Sequence, residues 1–97
     1  MPRIEVMNTR MLDKMRSSCA LAADTLMMIG EHVQPGVTTE EINRRVHEFM
    51  VKHGARPATL GYNGFPKSCC TSINEVICHG IPSEEVVLND GDIVNID

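Results

Sequence analysis

The pattern of apolar residues changes at Gly54, and this change decides which folds the chain can adopt. Before Gly54, apolar side chains recur at alternating steps of three and four residues, the spacing of one face of an α-helix. After Gly54, loops rich in glycine and proline separate short runs that are typical of strands. Helices followed by strands, rather than alternating with them, indicate an α+β protein. We therefore expect two helices followed by antiparallel strands.

The first helix is predicted over residues 10–33. Asn8 or Thr9 would cap its start, and Pro35-Gly36 forbids its continuation. One stripe of apolar residues follows the helical spacing: Leu12, Met15, Cys19, Ala22, Leu26, Ile29 and Val33. We interpret the methionines of this helix as flexible filler of the core rather than as a binding groove.

The second helix is announced by a capping box, with Thr38 as the cap and Glu41 three residues later. Its apolar face consists of Ile42, Val46, Phe49 and Met50. Gly54 is a natural left-handed stop. Because the connection between the helices is short, we expect them to pack antiparallel or at a steep angle.

Three short strands are predicted in the second half of the chain. Residues 69–73 and 76–78 flank a bend at Asn74-Glu75, and residues 92–97 follow the turn signal Asp90-Gly91. Apolar residues lie on both faces of the 92–97 run, so we expect that strand to be buried.

The charge of the chain argues against nucleic acid as a partner. The net charge is −4, and no basic stripe is present. Arg44-Arg45 is flanked by Glu40, Glu41 and Glu48, which indicates a solvated helix face.

The cysteines and the N-terminus favour a cytoplasmic protein. Cysteines at positions 19, 69, 70 and 78 do not form the framework of a small secreted domain. The segment Met1-Pro2-Arg3-Ile4-Glu5 has no apolar signal character, and no apolar run is long enough to span a membrane.

Asp97 and His79 are the first candidates for chemistry. A carboxylate in a buried strand needs a hydrogen-bonding network, a counter-charge or a metal ion; the alternative is a strand-end aspartate in water. His79 precedes the turn residues Gly80 and Pro82, so it would lie at a strand end, as a functional or a structural histidine. A zinc site formed by Cys69, Cys70, Cys78 and His79 is disfavoured, because no C-x-x-C spacing is present.

The loop 61–66 displays two of the three aromatic residues of the chain, Tyr62 and Phe65, between glycines. This composition suits a small apolar pocket. The alternative is that both rings cover the core. The loop lacks the residue order of a phosphate-binding loop.

Three ordered motifs follow one another in the second half of the chain. They are Gly61-Tyr62-Asn63-Gly64-Phe65-Pro66-Lys67-Ser68, then Ser72-Ile73-Asn74-Glu75-Val76-Ile77-Cys78-His79-Gly80-Ile81-Pro82, then Asp90-Gly91-Asp92-Ile93-Val94-Asn95-Ile96-Asp97. Taken together, they resemble type I methionine aminopeptidases. Together with the two helices, the resemblance covers essentially the whole chain. It departs from the family at Thr59, where many relatives have cysteine, and at Asn63, which is often histidine.

The resemblance implies the pita-bread fold and removal of the initiator methionine from new polypeptides. It implies two divalent metal ions, which would be Co, Mn, Fe or Zn. Asp97 would be a metal ligand, and His79 would be a catalytic residue that hydrogen-bonds the substrate near the scissile bond. Tyr62, Phe65, Cys70 and Thr59 would bind the methionine side chain. A thioether against aromatic rings is a plausible basis of selectivity.

The resemblance further implies that residues 1–97 are the N-terminal portion of one catalytic domain, cut at Asp97. The remaining ligands of the family (a second Asp, a His and two Glu) would lie downstream. We therefore expect the 97 residues alone to be inactive, marginally stable and unable to bind metal tightly. The expected partners are nascent peptide N-termini, with ribosome association left open, and the full-length protein would be a cytoplasmic monomer. Three alternatives remain: a non-catalytic binding protein of the same fold, an X-Pro-type peptidase, and an interaction protein formed by the short chain itself.

Overall fold

The computed structural model describes residues 3–97. Met1 and Pro2, which belong to the segment predicted not to be a signal sequence, lie outside the described residues. In chain order the structure contains α1 (Thr9–Gly30), α2 (Thr39–Lys52), a 3-10 turn (Tyr62–Gly64), β1 (Thr71–Ile73) and β2 (Val94–Ile96). The strands are antiparallel. The predicted α+β order, with two helices followed by antiparallel strands, is confirmed. Within the described residues, neither helix combines the length and apolar character needed to cross a membrane.

The first helix, α1, is capped by Asn8, whose side-chain oxygen accepts a 2.9 Å hydrogen bond from the Met11 N–H. It ends at Gly30, three residues before the predicted limit. The reason is a tightened last turn, in which the Glu31 and His32 N–H groups donate to carbonyls three residues back.

The predicted apolar stripe of α1 lies on one helix face but is largely uncovered by the described residues. Thr25 and Ile29 are the buried residues of this helix, whereas Met15 and Leu26 are 46% and 52% exposed. The interpretation of Met15 as core filler is therefore wrong for this structure. Periodicity identifies an apolar face, but it does not identify what covers that face.

The second helix, α2, begins as its capping box predicts. The Glu41 N–H donates to Thr38 Oγ1 at 3.1 Å. The Glu41 carboxylate pairs with Arg44 and Arg45 at 3.4 and 3.8 Å, so the predicted solvated face of charged residues is also present. Gly54 adopts the left-handed conformation that ends the helix, with φ of +76°.

The two strands pair in the register Thr71↔Ile96, Ser72↔Asn95 and Ile73↔Val94. The predicted strand at 76–78 is wrong. Asn74 turns the chain with φ of +51°, and the following residues fold back until the Gly80 carbonyl accepts from the Thr71 N–H at 2.8 Å. This backbone hydrogen bond between Thr71 and Gly80 forms where the prediction placed a second strand.

The core lies between the two helices and one face of the sheet. Its buried members are Ile29, Ile42, Val46, Cys69 and Leu88, with Val94 and Ile96 packed against them. On the opposite face of the predicted 92–97 run, Ile93, Asn95 and Asp97 are exposed. The expectation that this strand is buried on both faces is therefore wrong, because no described element covers its second face.

Candidate functional site

All six predicted site residues line one open cleft of about 650 Å³. They come from three separate parts of the chain and are Thr59, Tyr62, Phe65, Cys70, His79 and Asp97. Ala58, Asn63, Gly64, Pro66 and Ile81 complete the lining. A cleft of this volume fits a small ligand or one side chain of a peptide. The structure brings the residues together, while their individual roles remain predictions.

One wall of the cleft is the loop that contains Tyr62 and Phe65. Gly61 adopts φ of +82°, and its N–H donates to the Phe65 carbonyl at 2.8 Å, which closes the loop on itself. The Phe65 N–H donates in turn to the Tyr62 carbonyl at 2.9 Å. The Tyr62 side chain is 71% exposed, so the alternative that both rings cover the core is wrong for Tyr62.

Cys70 and Asp97 form the next part of the lining. The Cys70 N–H donates to the Asp97 carbonyl at 2.7 Å, and the Asp97 N–H donates to the Cys70 carbonyl at 3.0 Å. Burial raises the pKa of the Cys70 thiol, and the nearby Asp97 carboxylate and Cys78 raise it further. The thiol is therefore neutral at neutral pH and presents an uncharged, polarisable sulfur to the cleft.

His79 lines the cleft. Its φ is +59°, in the left-handed region that few non-glycine residues adopt. It lies in irregular backbone rather than at a strand end, because residues 76–78 form no strand. The next residue, Gly80, packs directly on β1: a Cβ atom at this position would lie 2.0 Å from the Thr71 carbonyl oxygen. The Gly80 N–H also donates to Ser72 Oγ at 3.2 Å. Contacts of the neighbouring glycine therefore fix the position of His79.

Asp97 is exposed, which overturns the expectation of a buried carboxylate in need of a partner. Its charge can be hydrated, so its environment alone does not demand a metal ion.

Residues 3–97 include no group of three or more His, Cys, Asp or Glu side chains placed to hold a metal ion. The side chains of these types that line the cleft are those of Cys70, His79 and Asp97. A dinuclear centre needs more donors than these, so the described residues do not fit one by themselves. Burial raises the pKa of Cys69 to about 12, so this thiol is a poor source of a thiolate ligand.

Two polar residues of α2 that the sequence analysis did not identify hold the chain just before Cys70. Asn43 Oδ1 accepts hydrogen bonds from the Ser68 N–H at 2.8 Å and from the Cys69 N–H at 3.2 Å. One turn later, His47 Nδ1 lies 2.7 Å from Ser68 Oγ. The available signal was their position, since Asn43 and His47 lie beside the apolar stripe of α2, where a polar side chain needs a partner.

At the other end of the sheet, side-chain hydrogen bonds of Asn74 and Asp92 (the Asn74 bracket) join the segments next to the two strands. Asn74 Nδ2 donates to Asp92 Oδ1 at 3.0 Å, and Asn74 Oδ1 accepts from the Ile93 N–H at 3.0 Å. Asp92 Oδ2 also accepts from the Asn89 N–H at 2.8 Å. The hydrogen bonds from Asn89 and Asn74 lower the pKa of the Asp92 carboxyl.

Comparison with known proteins shows the family of the chain. The sequence model of metallopeptidase family M24 matches residues 13–97. The chain belongs to metallopeptidase family M24. The chain is 58% identical over 92 residues to methionine aminopeptidase 2 of Mycobacterium tuberculosis, which covers 95% of the chain and 32% of that protein. Members of family M24 are metallopeptidases, so dependence on a divalent metal is a property of the family that this chain joins.

Solved structures of methionine aminopeptidases share the fold. The structure from Rickettsia prowazekii matches with a TM-score of 0.94 and 52% identity, over 98% of this chain and 38% of that chain. The structure from Thermotoga maritima matches with the same TM-score, 0.94, and 31% identity, over 97% of this chain and 38% of that chain. The two helices and the antiparallel strand pair thus correspond to part of the pita-bread fold. The chain spans about a third of the length of the curated relatives it matches.

Proposed function

We propose that these residues supply the substrate pocket, and one metal ligand, of a methionyl aminopeptidase that removes the initiator methionine from new polypeptides. The observation that carries the proposal is that residues from three separate motifs line one cleft. The names of the similar proteins support the same activity.

The lining of the cleft is suited to an unbranched thioether side chain. Tyr62 and Phe65 provide aromatic rings, and Cys70 adds a buried neutral thiol to the same lining. A sulfur atom beside aromatic rings gains about 0.3–1.5 kcal/mol, and the flexible methionine side chain fits an irregular wall. In this proposal Thr59 and Ile81 complete the pocket, and the absence of charge among these five side chains favours an apolar substrate residue.

His79 and Asp97 have the polar roles in this proposal. His79 would donate or accept a hydrogen bond at the substrate amide next to the scissile bond, which orients the peptide. Asp97 would contribute one carboxylate to a centre of two divalent ions. Because the described residues do not fit such a centre alone, the remaining ligands must come from residues outside 3–97, and we derive no reaction step through the metals.

The proposal extends to the organisation and the setting of the protein. Residues 1–97 would be the N-terminal portion of a single catalytic domain, since the similar proteins are about three times as long. The substrates would be the N-termini of nascent peptides, met near the ribosome. The full-length enzyme would be a cytoplasmic monomer that uses Co, Mn, Fe or Zn.

A peptidase assay on the full-length protein tests this function. With Mn²⁺ or Co²⁺ present, we expect release of methionine from Met-Gly-Met-Met and no cleavage of an X-Pro peptide. The His79→Ala variant should lose most of this activity, and the 97-residue chain alone should release no methionine. Cleavage of the X-Pro peptide in preference to Met-Gly-Met-Met would refute the proposal, and so would absence of any peptidase activity.

A further inference from the structure

The contact between α2 and the chain that leads into β1 has a feature that the proposed function does not explain. Residues 68 and 69 lie in irregular backbone, outside both strands, and both are buried. Buried N–H groups need an acceptor, and backbone outside a sheet has no ladder to provide one. Here both N–H groups find the same acceptor, the side-chain oxygen of Asn43.

Asn43 therefore acts as a substitute for one step of a β-ladder. Three consecutive N–H groups each have an acceptor: those of Ser68 and Cys69 donate to the Asn43 side chain, and that of Cys70 donates to the Asp97 backbone carbonyl. These hydrogen bonds connect α2 to the segment that leads into β1, with no unpaired N–H group between residues 68 and 70. The Asn43 side chain is itself held, because its Nδ2 donates to Glu40 Oε1 at 3.4 Å.

The anchored segment and the cleft are adjacent, but Asn43 is not part of the cleft. Asn43 is 7% exposed and does not line the cleft, whereas Pro66 and Cys70, on either side of the anchored pair, both do. The hydrogen bond between His47 and Ser68 Oγ adds a second tie from the same helix. A shift of residues 68–69 would therefore move the lining of the cleft on both sides.

From this arrangement we infer that Asn43 is a positioning residue. By fixing residues 68–70 against α2, it sets the position of the pocket lining on either side of them. This inference rests on the proposed function, in which Cys70 contacts the methionine side chain. Asn43 does not line the cleft; it acts through the backbone of Ser68 and Cys69. Loss of its oxygen should change how well the substrate fits more than it changes the chemical step.

The test compares three variants of the full-length enzyme. Asn43→Leu keeps the approximate volume but removes the acceptor, and Asn43→Asp keeps an acceptor in the same place. Val46→Ala is the control. Val46 is a buried core residue of the same helix, and its aliphatic side chain has no hydrogen-bonding group. Its loss destabilises the helix packing without removing the acceptor for residues 68 and 69.

We expect Asn43→Leu to raise KM for Met-Gly-Met-Met about tenfold with a smaller change in kcat, since misplaced binding groups weaken fit. Asn43→Asp retains the acceptor but loses the donor to Glu40, so it should raise KM less than Asn43→Leu does. Val46→Ala should lower thermal stability and leave KM unchanged. An equal rise in KM for Val46→Ala and Asn43→Leu would overturn the inference, and so would an unchanged KM for Asn43→Leu.

Amide hydrogen exchange gives a readout that does not depend on activity. Asn43→Leu should speed exchange at Ser68 and Cys69 relative to Val46→Ala, whereas equal exchange in the two variants would overturn the inference. If the wild-type protein releases no methionine, the proposed function fails while this measurement still decides the role of Asn43. If Asn43→Leu does not fold, Asn43→Ser, whose shorter side chain cannot reach both amides, takes its place in both measurements.

Discussion

Cys70 and Asp97 exchange both of their backbone hydrogen bonds, at 2.7 and 3.0 Å, one step beyond the last residue pair of the two strands. Residues directly opposite each other in an antiparallel pair project their side chains to the same side. The pairing therefore explains why a thiol and a carboxylate from distant parts of the chain line one cleft. It also couples them electrostatically, since the Asp97 carboxylate contributes to the raised pKa of the Cys70 thiol.

Substitution of Gly80 by alanine should destabilise the protein strongly. The new Cβ would lie 2.0 Å from the Thr71 carbonyl oxygen and 2.7 Å from its carbonyl carbon, and backbone atoms cannot move aside as a flexible side chain can. We expect Gly80→Ala to lower the free energy of unfolding by about 3 kcal/mol or more, measured by urea denaturation of the full-length protein. Gly30→Ala is the matched control, because nothing lies within 4 Å of its Cβ position. The control should gain up to about 1 kcal/mol from helix propensity, and equal losses in the two variants would contradict the close contact.

The four cysteines should differ in reactivity according to their surroundings. Cys78 is exposed, whereas Cys69 is buried and its pKa is raised to about 12. The thiolate is the reactive form, so Cys69 should resist alkylation at pH 8 while Cys78 is labelled rapidly. Iodoacetamide labelling followed by peptide mass spectrometry measures both rates in one sample. Labelling of Cys69 as fast as that of Cys78, in folded protein, would show that the core described around Cys69 is not formed.

Asp92 should make stability depend on acid pH. Its pKa is lowered by the hydrogen bonds from Asn89 and Asn74, so its ionised form is bound more tightly in the folded state than in the unfolded state. The stability that it contributes is present above the unfolded pKa of about 3.9 and is lost as the pH falls through the folded pKa.

Asp92→Asn should therefore reduce stability at pH 7 and flatten the dependence of stability on pH below about 4. Urea denaturation at several pH values measures both effects. Asp90→Asn, at an exposed neighbouring position, is the control and should leave the acid limb of the profile in place. An identical pH profile for Asp92→Asn and the wild type would contradict the role of the Asn74 bracket.

Thr38 should contribute to stability through its hydroxyl group. Its Oγ1 accepts from the Glu41 N–H at the start of α2, which satisfies one of the free amides of the first turn. Thr38→Ala should lower the free energy of unfolding by about 1 kcal/mol, whereas Thr38→Ser, which keeps the cap, should change it by only a few tenths. Thermal unfolding followed by circular dichroism compares the two, and a similar loss in both variants would assign the effect to the methyl group instead.

The helices were predictable because their signals are local. Thr38, Glu41 and Gly54 act within one turn of the residues that they cap or stop, so their effect is readable from adjacent letters. The exposed stripe of α1 was not predictable in the same way. Its period identifies one face, but whether Met15 is covered depends on contacts that spacing does not encode.

The sequence predicted which residues line the site, but not how the backbone and its hydrogen bonds position them. The motifs identified Tyr62, His79 and Asp97, and the cleft brings them together. The strand expected at 76–78 failed because a left-handed Asn74 reverses the chain, and short β-branched runs cannot reveal such a reversal. Asn43 was missed because its partners lie 25 and 26 residues away, beyond the reach of any local pattern.

The backbone of His79 has a consequence for how this protein can be improved. A left-handed conformation at a non-glycine residue costs of order 1 kcal/mol, which glycine would not incur. His79→Gly would relax the backbone and remove the imidazole in the same step. Under the role proposed for His79, selection for heat resistance alone would therefore favour a change that selection for turnover would reject.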